Sequence, residues 1–192
     1  MTIESTVDGV VVRDGDVIVM SAVPSPVKVE VPIDTDRLAA VFRRGASPAP
    51  PREAHAAPTC FVCGIDGDLG VHPTRLPDSR LWATVWTPES LDAERTVRSE
   101  MVWAVLDCPG GWATGDSKRH QGSFFPALAT MVAEIVHPVP VRHPVAVVGW
   151  MVSEDERRID SGSALIDSDG TVLARAVLSQ AIVPLDWGAD AT

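Results

Sequence analysis

At 192 residues with 45% hydrophobic composition, the chain is long enough to bury one proper core. A net charge of −10 removes the basic face that nonspecific nucleic-acid binding needs. No stretch approaches the ~20 apolar residues of a membrane span and no signal-like apolar segment opens the chain, so the expectation is a soluble, cytoplasmic protein without nucleic-acid or membrane partners.

In chain order, Val10–Met20 is two β-rich runs around Asp14-Gly15, a hairpin signal. Val27–Ile33 alternates as a half-exposed strand, with Pro32 placing it at an edge or a strand end. Arg43–Pro58 is rich in Pro and Ala and reads as an extended linker. Arg80–Thr87 is a strand with Leu81, Ala83 and Val85 on one face and Trp82 and Trp86 on the other. Ser99–Ala113 (SEMVWAVLDCPGGWA) is a buried helix, with a kink or end expected at Pro109-Gly110-Gly111. Leu128–Val136 is a strand or a short helix by periodicity. Val145–Val152, Arg158–Asp167 and Thr171–Pro184 form an antiparallel meander with a turn at Asp169-Gly170. A long buried helix followed by a meander gives an α+β class, a sheet wrapped against a helix.

The helix carries one carboxylate, Asp107, in an otherwise apolar run. Such a group is costly unless it is paired, protonated or used, which makes it a functional candidate; the structural alternative is a carboxylate that caps the Pro-Gly-Gly turn. Three cysteines, an odd number, make no disulfide framework. Cys60-x-x-Cys63-Gly is half a zinc site, but there is no second pair, and His55, His72 and Cys108 lack the expected spacing. The pair therefore reads as small residues in a tight turn, with no metal and no cofactor expected, and Cys108 as a small buried hydrophobe. His120, in the polar stretch after the helix, borders any pocket there; His137 and His143 read as loop residues.

Cys60-Phe61-Val62-Cys63-Gly64, then Gly70, a strand, MVWAVLDCPGGWA, and a meander with a D-x-D-G turn and LARA resemble the hotdog-fold thioesterase superfamily over Thr59–Pro184, about two thirds of the chain. The His-Gly-Gly that often opens the central helix of that superfamily is replaced by Thr96-Val97-Arg98-Ser99-Glu100. The resemblance implies a hotdog domain over 59–186, preceded by a β extension (1–45) and a Pro-rich linker (46–58), and associated as a homodimer or dimer of dimers. It also implies hydrolysis of an acyl-CoA or another acyl thioester.

Such hydrolysis needs an oxyanion donor and a group that attacks or activates water. Ser99 and Asp107 are eight residues apart, about 12 Å along a helix axis, so one helix cannot bring both to one carbonyl. The resemblance implies a site between protomers, with Ser99 on the oxyanion side and Asp107 as base or nucleophile. Glu100 competes for the acid's role, although a first-turn carboxylate also compensates the helix dipole. Trp103 and Trp112 are candidates to line an acyl pocket. Arg157 and Arg158, with Lys118 and Arg119 as the other basic pair, are candidates for the phosphates of CoA. A non-catalytic hotdog-like protein that binds acyl thioesters or another apolar ligand is the alternative, favoured by the missing His-Gly-Gly.

Overall fold

The computed structural model describes residues 1–55, 57–89, 95–119 and 124–184. Its main body is a six-stranded antiparallel sheet wrapped on one helix. Strands β4 (Thr74–Arg75), β5 (Leu81–Trp86), β6 (Phe124–Ile135), β7 (Val145–Glu154), β8 (Arg158–Ile166) and β9 (Val172–Pro184) lie in the order β4-β5-β7-β8-β9-β6. Strands β1 (Thr2–Ser5), β2 (Val10–Asp14) and β3 (Val17–Ala22) form a separate sheet. The expected hairpin around Asp14-Gly15 pairs β2 with β3, and Gly15 takes the left-handed φ of +59° that its turn requires.

The sheet is covered on both faces, which is why β7 reads as an almost unbroken apolar run instead of alternating. Val145 and Val147 pack in one core with Val102, Val105 and Leu106 of helix α2 (Ser99–Ala113). Ala146, Val148 and Trp150 pack in a second core with Leu38 and Val41 of helix α1 (Thr35–Arg44). The alternation in β5 sorts as expected: Leu81, Ala83 and Val85 join the α1 side, and Trp86 joins the α2 side.

Two expectations fail in the N-terminal part. Val27–Ile33 forms no strand; Val29, Val31 and Ile33 instead lay their apolar side chains against the α1 core, and the Val29 carbonyl accepts from Arg175. Thr35–Arg44, within the stretch read as a β extension and running into the one read as linker, is a helix. Asp34 caps it by accepting from the Arg37 N–H, Arg43 and Arg44 sit in its last turn, and Gly45 ends it at φ +73°. The chain beyond is not free: Ser47 and His55 are buried, and the Ser47 N–H donates to Thr84 Oγ1. No described helix is long and apolar enough to cross a membrane.

Helix α2 does not end at Pro109 but continues to Ala113. Proline removes the N–H that would bond the Val105 carbonyl, and close backing by the sheet holds the turn in place. A Cβ at Gly149 of β7 would stand 2.1 Å from the Pro109 carbonyl oxygen, and one at Gly110 would stand 2.6 Å from Ser161 Oγ. Ser163 Oγ donates to the Leu106 carbonyl at 2.5 Å. Helix and strand touch backbone to backbone here because glycine faces each side.

Gly149→Ala should therefore lower stability by about 3 kcal/mol, as overpacking against rigid backbone does. Gly111→Ala meets nothing within 4 Å and should raise stability by about 0.5–1 kcal/mol through helix propensity. Urea unfolding of the two variants checks both signs; equal effects would refute the close contact.

Candidate functional site

Helix α2 divides its residues between two faces. Val102, Val105, Leu106, Pro109, Gly110 and Ala113 are buried, a helical repeat that meets the sheet. Asp107, Cys108, Gly111 and Trp112 fall on the other side and line a cavity of about 490 Å³. Apolar side chains dominate its remaining wall: Trp82 of β5, and Phe124, Phe125, Pro126 and Leu128 of β6. Trp112 is held by two aromatic neighbours, with ring centres 5.9 Å from Trp82 and 5.1 Å from His55.

Burial in this cavity pushes the Asp107 carboxyl up from its ordinary 3.8 to about 6, and the nearby charge of Cys60 adds to the shift. The group remains ionised at neutral pH yet takes a proton readily, which suits a general base. Beside it, Cys60 and Cys108 bring their sulfurs to 3.7 Å. The Cys108 thiol bonds to the Cys60 sulfur and holds Cys60 well below the usual thiol range, while Cys108 is pushed up. The sequence spacing did not foretell that Cys108 joins the Cys60–Cys63 turn, because the three meet only once α2 packs against the loop.

The remaining predicted residues lie elsewhere. Ser99 is the first residue of α2; Arg98 occupies the cap position and makes no side-chain cap bond. Glu100 is exposed and pairs with Arg98 at 3.2 Å. Neither lines the cavity, and neither does Trp103, which is 42% exposed. Arg157 and Arg158 line a separate surface depression with Asp155. Their backbone N–H groups both donate to the Asp155 carboxylate at 2.8 Å, and Arg158 pairs in register with Ala181, next to Gln180. His120 lies outside the described residues. His137 and His143 are exposed, as loop residues should be, and His143 contacts Asp167 at 3.1 Å.

Gln180 is a site residue that sequence reasoning missed. It lines the cavity while 1% exposed, and it exchanges hydrogen bonds at 3.1 Å with buried Ser161. The available signal was a polar side chain at an inward position of an apolar strand. Phe124 and Phe125 were missed because the expected strand began at Leu128, whereas β6 begins at Phe124.

No family model and no curated protein matches this sequence. Solved structures do match. Thioesterase superfamily member 2 of zebrafish is 9% identical, with 66% of this chain and 93% of that one covered at a TM-score of 0.53. A Bacillus halodurans protein solved with CoA is 14% identical, with 60% and 75% covered at 0.52. The chain has the hotdog fold. Another thioesterase superfamily protein, 17% identical at a TM-score of 0.47, is spanned over only about half its length, 49%, by 53% of this chain. At such identities the likeness concerns architecture, and residue roles rest on this chain's own geometry.

The raised Asp107 has a consequence for stability. The folded state holds a proton that the unfolded chain releases above its ordinary 3.8, so this group's contribution to stability is fully present below 3.8 and is lost as pH rises through about 6. By pH 7.5 the half-buried charge costs on the order of 2–3 kcal/mol. In reduced, chelator-treated protein, Asp107→Asn should raise stability by that amount at pH 7.5 and by almost nothing at pH 4. Urea unfolding at both values checks it; an offset independent of pH would count against a strained carboxylate.

Proposed function

We propose that the chain hydrolyses acyl thioesters of the acyl-CoA class, with Asp107 as the carboxylate that activates water. One observation carries the reading: a half-buried, ionisable carboxylate on the central helix opens into an aromatic and aliphatic cavity of a size suited to an acyl group. The presence of CoA in one structure of the same fold supports a CoA ester as substrate.

In this reading the acyl chain lies among Trp112, Phe124, Phe125 and Leu128. Asp107 accepts a proton from water as the water oxygen adds to the thioester carbonyl. The carbon–sulfur bond then breaks, and Asp107 returns the proton to the departing thiolate, giving a carboxylic acid and a thiol. The developing oxyanion needs N–H donors. An uncapped helix N-terminus at Ser99 and Glu100 supplies them, but about 12 Å of helix separates it from Asp107 of the same chain. The donors therefore come from α2 of a second copy, antiparallel to the first, and the working form is at least a homodimer. The position of β6 supports this: among the described residues it is an outer strand of the six-stranded sheet, its Phe124, Phe125, Pro126 and Leu128 wall the cavity, and an outer strand is where a sheet can meet another chain. Arg157 and Arg158 attract the CoA phosphates from the neighbouring depression, and Trp103 belongs to the interface near the bound ester.

Thiol release from a panel of short, long and aromatic acyl-CoAs tests this. Asp107→Asn should lower kcat by roughly 100- to 10,000-fold while the protein stays folded and keeps its oligomeric state. Turnover unchanged in the variant would remove Asp107 from the mechanism and turn attention to Glu100. Tight binding of acyl-CoA by the wild type without thiol release would instead establish a binding protein.

A further inference from the structure

The reaction above makes no use of Cys60, Cys63 and Cys108. We propose that their three thiolates hold one soft divalent metal ion of the zinc type, whose fourth coordination position faces the cavity. The three sulfurs lie within 4.8 Å of one another, and those of Cys60 and Cys108 are 3.7 Å apart. Thiolates bound tetrahedrally at about 2.3 Å from zinc stand roughly 3.8 Å from each other. One edge of the site thus already has the required length, and Cys63 needs to close in by no more than about 1 Å.

The loop that carries Cys60 and Cys63 is built in advance. The Gly64 N–H donates to the Cys60 carbonyl at 2.8 Å, and the Cys63 N–H points at the Cys60 sulfur at 3.5 Å. A Cβ at Gly64 would lie 2.3 Å from the Cys60 carbonyl oxygen, so the turn tolerates only glycine there. Two buried histidines clamp it from outside, His55 Nε2 on the Cys63 carbonyl and His72 Nε2 on the Gly64 carbonyl. His55 also accepts from the Ala57 N–H through Nδ1, so both of its ring nitrogens are engaged and it is no ligand. The donor set is three sulfurs, which favours zinc-like ions over magnesium or calcium.

All three cysteines line the same cavity as Asp107. Three protein ligands with a cavity-facing fourth position are the arrangement of a zinc site that binds water or an incoming ligand, in contrast to a closed structural site with four. The ion would also fasten the Cys60–Gly64 loop to α2 beside Asp107. This inference is independent of thioester hydrolysis.

The test is cobalt(II) titration of the reduced, chelator-stripped full-length chain. The expected result is one equivalent bound per chain, with a sulfur-to-cobalt charge-transfer band and the strong visible absorption of a tetrahedral ion, both displaced by zinc. Cys108→Ser should weaken cobalt binding by more than roughly 100-fold. In the wild type, zinc should slow alkylation of all three cysteines, read by mass spectrometry, which keeps the test valid if the variant misfolds. Three thiols that alkylate at the same rate with and without zinc would overturn the proposal. So would a wild-type cobalt spectrum in Cys108→Ser, or a Cys60–Cys108 disulfide in protein isolated without oxygen. None of these readouts involves thioester turnover.

Discussion

The site depends on how closely α2 can approach the sheet. Pro109 lies against Gly149, Gly110 against Ser161, and Leu106 bonds Ser163, with no side chain between the Pro109 backbone and β7. That contact carries the helix through a proline that would otherwise break it. It also fixes the rotation of the helix, because residues one step away from the contact, Cys108 and Gly111, then face the cavity together with Asp107 and Trp112. A helix held farther off by one methyl group would no longer aim Asp107 at the same space.

The cavity face in turn carries a cost that packing offsets. A carboxylate and a low-lying thiol share an apolar enclosure, and the charge of Cys60 makes that of Asp107 harder to hold. The two cores on either side of the sheet, one under α1 and one under α2, supply the burial that tolerates this. Concentrated, unfavourable charge in an otherwise well-packed domain is what a reactive site requires.

Much of this was legible in the chain. The alternation of Leu81–Trp86 gave both faces of β5, and Val145–Val152 was legible as a strand, although its burial on both faces became plain only with α1 in place. Asp107 stood out as one carboxylate among apolar neighbours, and it does line the cavity. The misses have physical causes. Alternation at Val27–Ile33 mimics a strand, but the segment packs without a pairing partner, and pattern alone does not supply one. Helix α1 was overlooked although its signals were present, a capping Asp34 and a terminating Gly45. The grouping of Cys60, Cys63, Cys108, His55 and Gln180 around one space depends on contacts between distant segments, which no spacing rule encodes.

The central claim is that a thioester carbonyl is held at Asp107 in the cavity beneath Trp112. A crystal structure of Asp107→Asn soaked with an intact acyl-CoA tests it most directly. The account predicts the acyl chain among Trp112, Phe124 and Phe125, with the carbonyl carbon within one water of the substituted side chain and its oxygen directed at the α2 N-terminus of a second copy. An acyl chain bound elsewhere, or a carbonyl remote from position 107 with the cavity filled only by solvent, would contradict it.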